Sequence, residues 1–215
     1  MRPISKVTIE FFHDVICSFC FPMSYRMREL VKRMPEVEVV HRSFALVREE
    51  GEFERMFGSR EAAKEEVLGH WEQANRIDDL HRFNIEGMRE ADFPFPTSMK
   101  GLLACKAAFF TSGEGAYWDL FDALQNAFFV QSRDIGDQDV IDDIVREAGL
   151  GFDKWQHHYR DSKTTEAVEG DLRLVEQYGI TSVPTLVING KHRVQGALPL
   201  SRIRSSIMKL SIAGE

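Results

Sequence analysis

The sequence predicts an α/β domain that is divided by an all-helical insertion. β-like segments occur near the two ends of the chain, while a long central block has helical periodicity without a convincing strand. The resulting order is βαβ, then helices, then αββα, and the 215 residues suffice for a substantial core. We therefore place the first part of the α/β domain at residues 1–52, the helical insertion at 53–165 and the second part at 166–215.

The amino-terminal part predicts a strand, a helix and a second strand. Residues 7–12, VTIEFF, are rich in β-branched and aromatic residues. Residues 17–33 change to a helical period, which Pro35 ends, and residues 37–44 return to a strand pattern. Two strands separated by a crossover helix favour a parallel pair. The apolar stripe of this helix consists of Met23, Met27, Leu30 and Met34.

The central block predicts several amphipathic helices that pack on one another. Four stripes of apolar residues recur at helical spacing. They are Val67, Trp71, Ala74 and Ile77; Met99, Leu102, Leu103 and Phe110; Tyr117, Leu120, Phe121, Leu124 and Phe128; and Val140, Ile141, Ile144 and Val145.

The carboxy-terminal part predicts a helix, a β-hairpin and a closing helix. The helical stripe that starts at Val168 ends at Gly179, a residue typical of helix C-termini. Two β-like runs flank Asn189-Gly190, which is a strong signal for a tight hairpin turn. After Pro199, a last apolar stripe predicts the closing helix.

Composition argues against several functional classes. Twenty-seven Lys and Arg against 34 Asp and Glu give a formal charge of −7, which disfavours nucleic acid and acidic membranes as partners. Three cysteines are too few for a disulfide-framed secreted scaffold. Because no signal peptide and no apolar run of about 20 residues is evident, we expect a cytoplasmic protein.

The segment Cys17-Ser18-Phe19-Cys20 lies where the first strand leads into the first helix. A helix that begins near Cys17 would place its sulfur beside unpaired backbone N–H groups, which favour the thiolate. Cys20, one turn further on, would be close enough to form a disulfide. Two alternatives remain: unrelated buried thiols, and half of a zinc site. The second requires two further ligands at suitable spacing, and the sequence has no second CxxC or HxxxH pair. We predict no metal site.

The segment Val183-Pro184-Thr185 follows the helix that ends at Gly179. Proline is tolerated at the first position of a strand, which is one interpretation. The other is a cis Val183–Pro184 bond in a loop whose backbone pairs with an extended substrate.

Together these features resemble the thioredoxin superfamily, and the helical insertion resembles its DsbA family. The runs FFHDVICSFC, FFVQSRDIGDQDVIDDIVREAGL and YGITSVPTLVING are similar to the FrnE-like cytosolic branch, and the resemblance covers about residues 5–210. It implies a thioredoxin-like fold with an inserted helical subdomain. It also implies that Cys17 is the nucleophile, that Cys20 is the resolving thiol, and that Val183-Pro184 forms a cis-proline loop beside them.

The chain departs from this resemblance at two places. FrnE-like proteins usually have Pro-Trp between the cysteines, where this chain has Ser18-Phe19. Many thioredoxin-like proteins have a buried acid six residues before the nucleophile, and Phe11 occupies that position here. We interpret His13 and Asp14 as loop residues around the site rather than catalysts.

The leading hypothesis is a thiol–disulfide oxidoreductase that acts on protein or peptide cysteines, with no tightly bound cofactor and with glutathione as a candidate redox partner. The alternative is a glutathione-dependent transferase or isomerase of the kappa-class or 2-hydroxychromene-2-carboxylate isomerase type; those proteins typically carry serine in place of Cys17. A third hypothesis is a non-catalytic binding or chaperone-like module. We expect Cys105 to be buried in a helix. The resemblance to the DsbA family suggests that the protein forms a homodimer.

Overall fold

The computed structural model describes residues 6–213, with side chains described to residue 210. Four strands form the sheet: β1 (Val7–His13), β2 (Val37–Ser43), β3 (Thr185–Ile188) and β4 (His192–Gln195). The same described residues form ten helices: α1 (Cys20–Arg33), α2 (Glu52–Phe57), α3 (Arg60–Ile77), α4 (Ile85–Glu90), α5 (Ser98–Ser112), α6 (Glu114–Phe129), α7 (Gln138–Glu147), α8 (Phe152–Arg160), α9 (Ser162–Gln177) and α10 (Leu200–Ala213).

The sheet joins the two ends of the chain. Its strand order is β2-β1-β3-β4. β1 and β2 are parallel, as predicted, while β3 is antiparallel to both β1 and β4. The central strand β1 is therefore held on one side by the amino-terminal part and on the other by the last fifty residues. Residue Asn189 strengthens this junction, since its side-chain oxygen accepts a hydrogen bond from the backbone of Thr8 at 3.0 Å.

The hairpin between β3 and β4 turns at Asn189 and Gly190, as predicted. Their φ angles are 51° and 67°, the left-handed region that a two-residue hairpin turn requires. Such angles are disfavoured for most residues, which is why Asn-Gly was a usable sequence signal.

Between residues 53 and 165, a range that the structure describes in full, the central block consists of helices joined by loops and contains no strand. Most of the four predicted apolar stripes are buried, although Ile77 is 39% exposed at the end of α3. Their aromatic rings pack together: Trp71 lies 4.8 Å from Phe129 and 5.1 Å from Phe128, measured between ring centroids. No described helix is both long and apolar enough to span a bilayer. The structure agrees with the α/β class with a helical insertion, while the exact division at residues 52 and 165 stays a prediction.

Candidate active site around Cys17 and Cys20

The loop that follows β1 carries Cys17 in two overlapping turns. The backbone N–H of Cys20 donates to the carbonyl of Cys17 at 3.0 Å, and that of Phe21 donates to Ser18 at 3.3 Å. Because these bonds join residues three apart, α1 begins at Cys20. The expectation of a helix that begins near Cys17 was wrong. Cys17 lies just before the helix, and Cys20 is its first residue.

The two cysteines differ in burial and in environment. Cys17 is 5% exposed and Cys20 is 0% exposed, and both are free thiols. Burial, followed by the hydrogen bond with Cys17, raises the pKa of Cys20 well above its ordinary value. The outer sulfur is thus the one that a second molecule reaches first, and the inner sulfur is held as a thiol behind it.

The loop before β3 faces Cys17. The Cys17 Sγ donates to the backbone carbonyl of Val183 at 3.6 Å, across 166 positions of the sequence. The Val183–Pro184 peptide bond is cis. Thr185, which is buried, donates from its hydroxyl to the carbonyl of Ser182 at 2.8 Å and so closes the loop. The structure therefore brings Val183 to the cysteine pair and places Pro184 and Thr185 directly behind it.

The two residues between the cysteines have different surroundings. Ser18 is buried, while Phe19 is half-buried against the core. The neighbouring Phe21 is a core residue. Its ring stacks on Phe129 at 5.3 Å between centroids, and the guanidinium of Arg82 lies 3.8 Å from its centroid.

Asp14 is a site residue that sequence reasoning undervalued. It is fully buried, and its carboxylate accepts hydrogen bonds from the Leu46 N–H at 2.7 Å, the Ser98 hydroxyl at 2.6 Å and the Ile16 N–H at 3.2 Å. Burial raises its pKa from 3.8 to about 6. Its charge acts on the Cys20 thiol, whose pKa it raises further. The sequence indicates this residue only as the single acidic residue in the largely apolar run FFHDVIC.

Gln125 of α6 is a second residue that the sequence did not reveal. Its side-chain amide, which is fully buried, lies 3.4 Å from the carbonyls of Asp14 and Cys17 and 3.5 Å from that of Val15. These contacts fix the loop that carries Cys17. The sequence around this single glutamine in a helix does not indicate that its side chain binds the carbonyls of a distant loop.

His13 is the last residue of β1, so its assignment to a loop was wrong. It is fully buried, and its Nε2 lies 3.0 Å from Nδ1 of His41 on β2. Burial lowers the pKa of both imidazoles, which are therefore neutral near pH 7.

Cys105 lies in α5 and is fully buried, which confirms the prediction of a buried cysteine in a helix. Burial raises the pKa of this thiol well above its ordinary value. Within the described residues, no three His, Cys, Asp or Glu side chains are grouped closely enough to hold a metal ion.

Comparison with known proteins supports this architecture. Residues 8–208 match the family model of the DSBA-like thioredoxin domain. No curated protein sequence matches the chain.

Several solved structures share the fold. The cytosolic disulfide reductase DsbM from Pseudomonas aeruginosa has a TM-score of 0.73 at 16% identity, over 94% of this chain and 99% of that one. The thiol-disulfide exchange protein alpha-DsbA2 from Wolbachia pipientis has 0.62 at 16%, over 97% and 84%. A 2-hydroxychromene-2-carboxylate isomerase has 0.67 at 13%, over 94% and 95%. At such identities the likeness concerns the fold.

Proposed function

Because the chain belongs to the DsbA-like thioredoxin family, we propose that it is a thiol–disulfide oxidoreductase that works through Cys17 and Cys20. The observation that carries the proposal is the asymmetry of the pair. Cys17 contacts the carbonyl of Val183 at the outer side of the site, while Cys20 is completely buried behind it. One thiol is placed to meet a substrate and the other to complete the reaction.

The exchange proceeds in two steps that balance in electrons and protons. In the reducing direction, the Cys17 thiolate attacks one sulfur of a substrate disulfide, forms a mixed disulfide and releases the other sulfur as a thiolate. Cys20 then gives its proton to the substrate thiolate released first and attacks the Cys17 sulfur, which releases the second substrate sulfur as a thiolate. The enzyme ends as the Cys17–Cys20 disulfide, and two electrons have passed to the substrate. Oxidation of a substrate dithiol is the reverse of both steps.

The loop of Val183, Pro184 and Thr185 provides the binding surface for the substrate backbone. The carbonyl of Val183 already lies at hydrogen-bond distance from the Cys17 sulfur. A main-chain group so close to the reacting atom is suited to pair with an extended peptide. We therefore assign protein and peptide cysteines as the substrate class.

Glutathione is the candidate for the small redox partner. DsbM, one of the structural relatives, is described as a cytosolic disulfide reductase, and another of its structures contains GSH. Membership of the FrnE-like branch, which rests on the sequence resemblance, and a cytoplasmic location, which we expect from the sequence, complete the proposal.

The test is a redox titration of the protein in glutathione buffers, with the free thiols alkylated and counted by mass spectrometry. We expect Cys17 and Cys20 to change together by two thiols, while Cys105, which is buried in α5, stays constant. A pair that remains reduced at every glutathione ratio would reject the proposal.

Variants of the cysteines separate their roles. Cys17→Ser should abolish reduction of insulin disulfides, because the attacking sulfur is lost. Cys20→Ser should accumulate a mixed disulfide on Cys17, because nothing resolves it. Cys105→Ala is the matched control and should keep wild-type activity. Equal activity in Cys17→Ser, Cys20→Ser and wild type would contradict the assignment.

A glutathione-dependent isomerase or transferase is the second candidate, favoured by the likeness to the 2-hydroxychromene-2-carboxylate isomerase. That chemistry needs no second cysteine. It would be supported by glutathione-dependent turnover that survives Cys20→Ser in a protein whose cysteines do not cycle.

A further inference from the structure

A cleft of about 660 Å³ lies in the helical insertion, between α2, α3 and the segment 91–97 that precedes α5. This volume is within the size range of ligand-binding sites. Three phenylalanines line the cleft: Phe53 of α2, and Phe93 and Phe95 of the segment 91–97. All three are half-buried, so part of each ring is open to a ligand. The cysteine pair does not line this cleft.

The helix α2 forms a wall of the cleft that is independent of the core. This helix, which the structure describes in full, has no buried residue. It lies between Gly51 and Gly58, whose φ angles of 83° and 86° are readily adopted only by glycine. The ring of Phe53 reaches across the cleft to Phe95, with 6.1 Å between centroids. Side chains of different sizes therefore fit between α2 and the segment 91–97, because α2 can shift without disturbing buried packing.

The charges around the cleft favour a positively charged occupant. Five acidic and three basic residues line it, which are Glu50, Glu54, Glu61, Asp92 and Asp134, and Arg60, Lys64 and Lys100. The basic groups are already engaged: Lys64 and Lys100 donate to backbone carbonyls at 2.5 and 2.6 Å, and Arg60 pairs with a glutamate at 3.3 Å. Glu50 and Asp92 are exposed and form no ion pair with any residue that the structure describes. Their carboxylates are available to a lysine or arginine of a bound molecule.

The segment after β2 connects this cleft to the cysteine site. Because β1 and β2 are parallel, the segments 14–19 and 44–51, which follow them, leave the same edge of the sheet. The Leu46 N–H donates to the Asp14 carboxylate at 2.7 Å, which holds the two segments together. The side chain of Leu46 is 42% exposed, and Glu50, four positions further on, already lines the cleft.

Val183 lies on the opposite side of Cys17. Since β3 is antiparallel to β1, it begins at the edge where β1 ends. In the strand order β2-β1-β3, the segment of Cys17 therefore stands between the loop of Val183 and the segment 44–51. A chain that pairs with Val183 and continues past Cys17 reaches Leu46 and then the cleft. An extended chain covers about 3.3 Å per residue, so about four to six residues of substrate span this distance.

We propose that the cleft binds an apolar residue and an adjacent basic residue of the polypeptide whose cysteine reacts with Cys17. The apolar side chain packs between Phe53 and Phe95, and the basic side chain pairs with Glu50 or Asp92. This inference rests on the proposed disulfide exchange and names the substrate sequences that it favours.

The test measures the second-order rate constant for reduction of peptide disulfides by the reduced protein, with acid quenching and alkylation of the products. Each substrate is a symmetric disulfide of a peptide with one cysteine and with Phe-Lys, Ser-Lys or Phe-Glu placed four to six positions before or after it. We expect Phe-Lys peptides to react at least about tenfold faster than Ser-Lys peptides, because burial of a phenylalanine side chain is lost in the latter. They should also react at least about threefold faster than Phe-Glu peptides. Equal rates for Phe-Lys peptides and either of the other two overturn the proposal.

A small substrate separates this inference from the proposed function. Bis(2-hydroxyethyl) disulfide is too short to reach from Cys17 to the cleft, so its reduction reports on the cysteine pair alone. Reduction of this compound without a preference for Phe-Lys peptides rejects the cleft and leaves the disulfide exchange intact. A protein that reduces none of the disulfides rejects the proposed function, and the inference with it.

Variants then locate the bound peptide. Phe53→Ser should remove the preference for Phe-Lys over Ser-Lys, while Phe53→Leu, which keeps an apolar side chain, should retain it. Met56→Ser is the matched control, since Met56 is 54% exposed on the same helix and does not line the cleft. Glu50→Gln should reduce the preference for Phe-Lys over Phe-Glu, with the exposed Glu65→Gln, on α3 outside the cleft, as its control. Preferences that survive both Phe53→Ser and Glu50→Gln would place the peptide elsewhere and refute this site.

Discussion

Replacement of Asp14 by asparagine should stabilise the protein at neutral pH, although it removes a residue from the candidate active site. Burial raises the pKa of Asp14 from 3.8 to about 6. Between these values the unfolded chain has lost the proton while the folded protein still holds it. The free energy of unfolding therefore falls as the pH rises through this window, and the loss is complete above it.

The magnitude follows from the size of the shift. A difference of about two pKa units corresponds to about 3 kcal/mol of stability lost at pH 7.5. Asparagine carries no charge, so it avoids this loss. It has one acceptor oxygen, which can keep the contacts with Leu46 and Ser98, while the 3.2 Å hydrogen bond from Ile16 is lost. One hydrogen bond contributes about 1 kcal/mol. We expect a net gain of about 2 kcal/mol at pH 7.5 and about zero at pH 4.5.

The assay is urea unfolding of wild type and Asp14→Asn at both pH values, with the exposed Asp92→Asn as the control that should show no pH-dependent difference. A gain that is equal at the two pH values, or a loss at pH 7.5, would refute the argument that the buried charge is responsible.

The same variant should lower the pKa of Cys20, which the Asp14 charge raises. Alkylation of Cys20 against pH, in a Cys17→Ser background, measures that change.

Packing around the Cys17 loop yields two further predictions. Gln125→Met should lower the free energy of unfolding by about 1–2 kcal/mol and speed alkylation of Cys17, because the loop carbonyls lose their donor; an unchanged alkylation rate would count against the role of Gln125. Gly101→Ala should cost about 1–3 kcal/mol, since its Cβ would lie 2.5 Å from Cγ2 of the buried Val15. Gly69→Ala is the matched control, because a Cβ at that position would meet nothing within 4 Å. It should stabilise α3 by about 0.5–1 kcal/mol. Equal melting temperatures for Gly101→Ala and Gly69→Ala would contradict this account.

The sequence predicted those elements whose local pattern was strong. The stripe of α6 and the Asn189-Gly190 turn were read correctly because spacing and turn chemistry are local properties. The helices α2, α4 and α8 were not predicted. The six residues of α2 and of α4 are too few for an apolar stripe to repeat. The nine residues of α8 do carry one, formed by Phe152, Trp155 and Tyr159, which the sequence analysis did not use.

The candidate site was predictable only where a motif was present. The spacing of Cys17 and Cys20 predicts a redox-active pair, and the proline of Val183-Pro184 predicts the loop that faces it. The start of α1 was misplaced because turns of three residues and of four residues look alike in sequence. Asp14 and Gln125 acquire their importance from α5 and α6, which approach the loop from about 80 to 110 positions away. Contacts between residues so far apart in the chain produce no pattern in the local sequence.

The closure of the sheet by its carboxy-terminal hairpin has a consequence for biosynthesis. Cys17 is separated from Val183 by 166 positions. At a translation rate of about 5–20 residues per second, the cysteine pair leaves the ribosome roughly 8–33 seconds before the loop that faces it. During that time neither β3 nor Val183 shields the two thiols. The nascent chain thus presents reactive cysteines to its surroundings well before it can use them on a substrate.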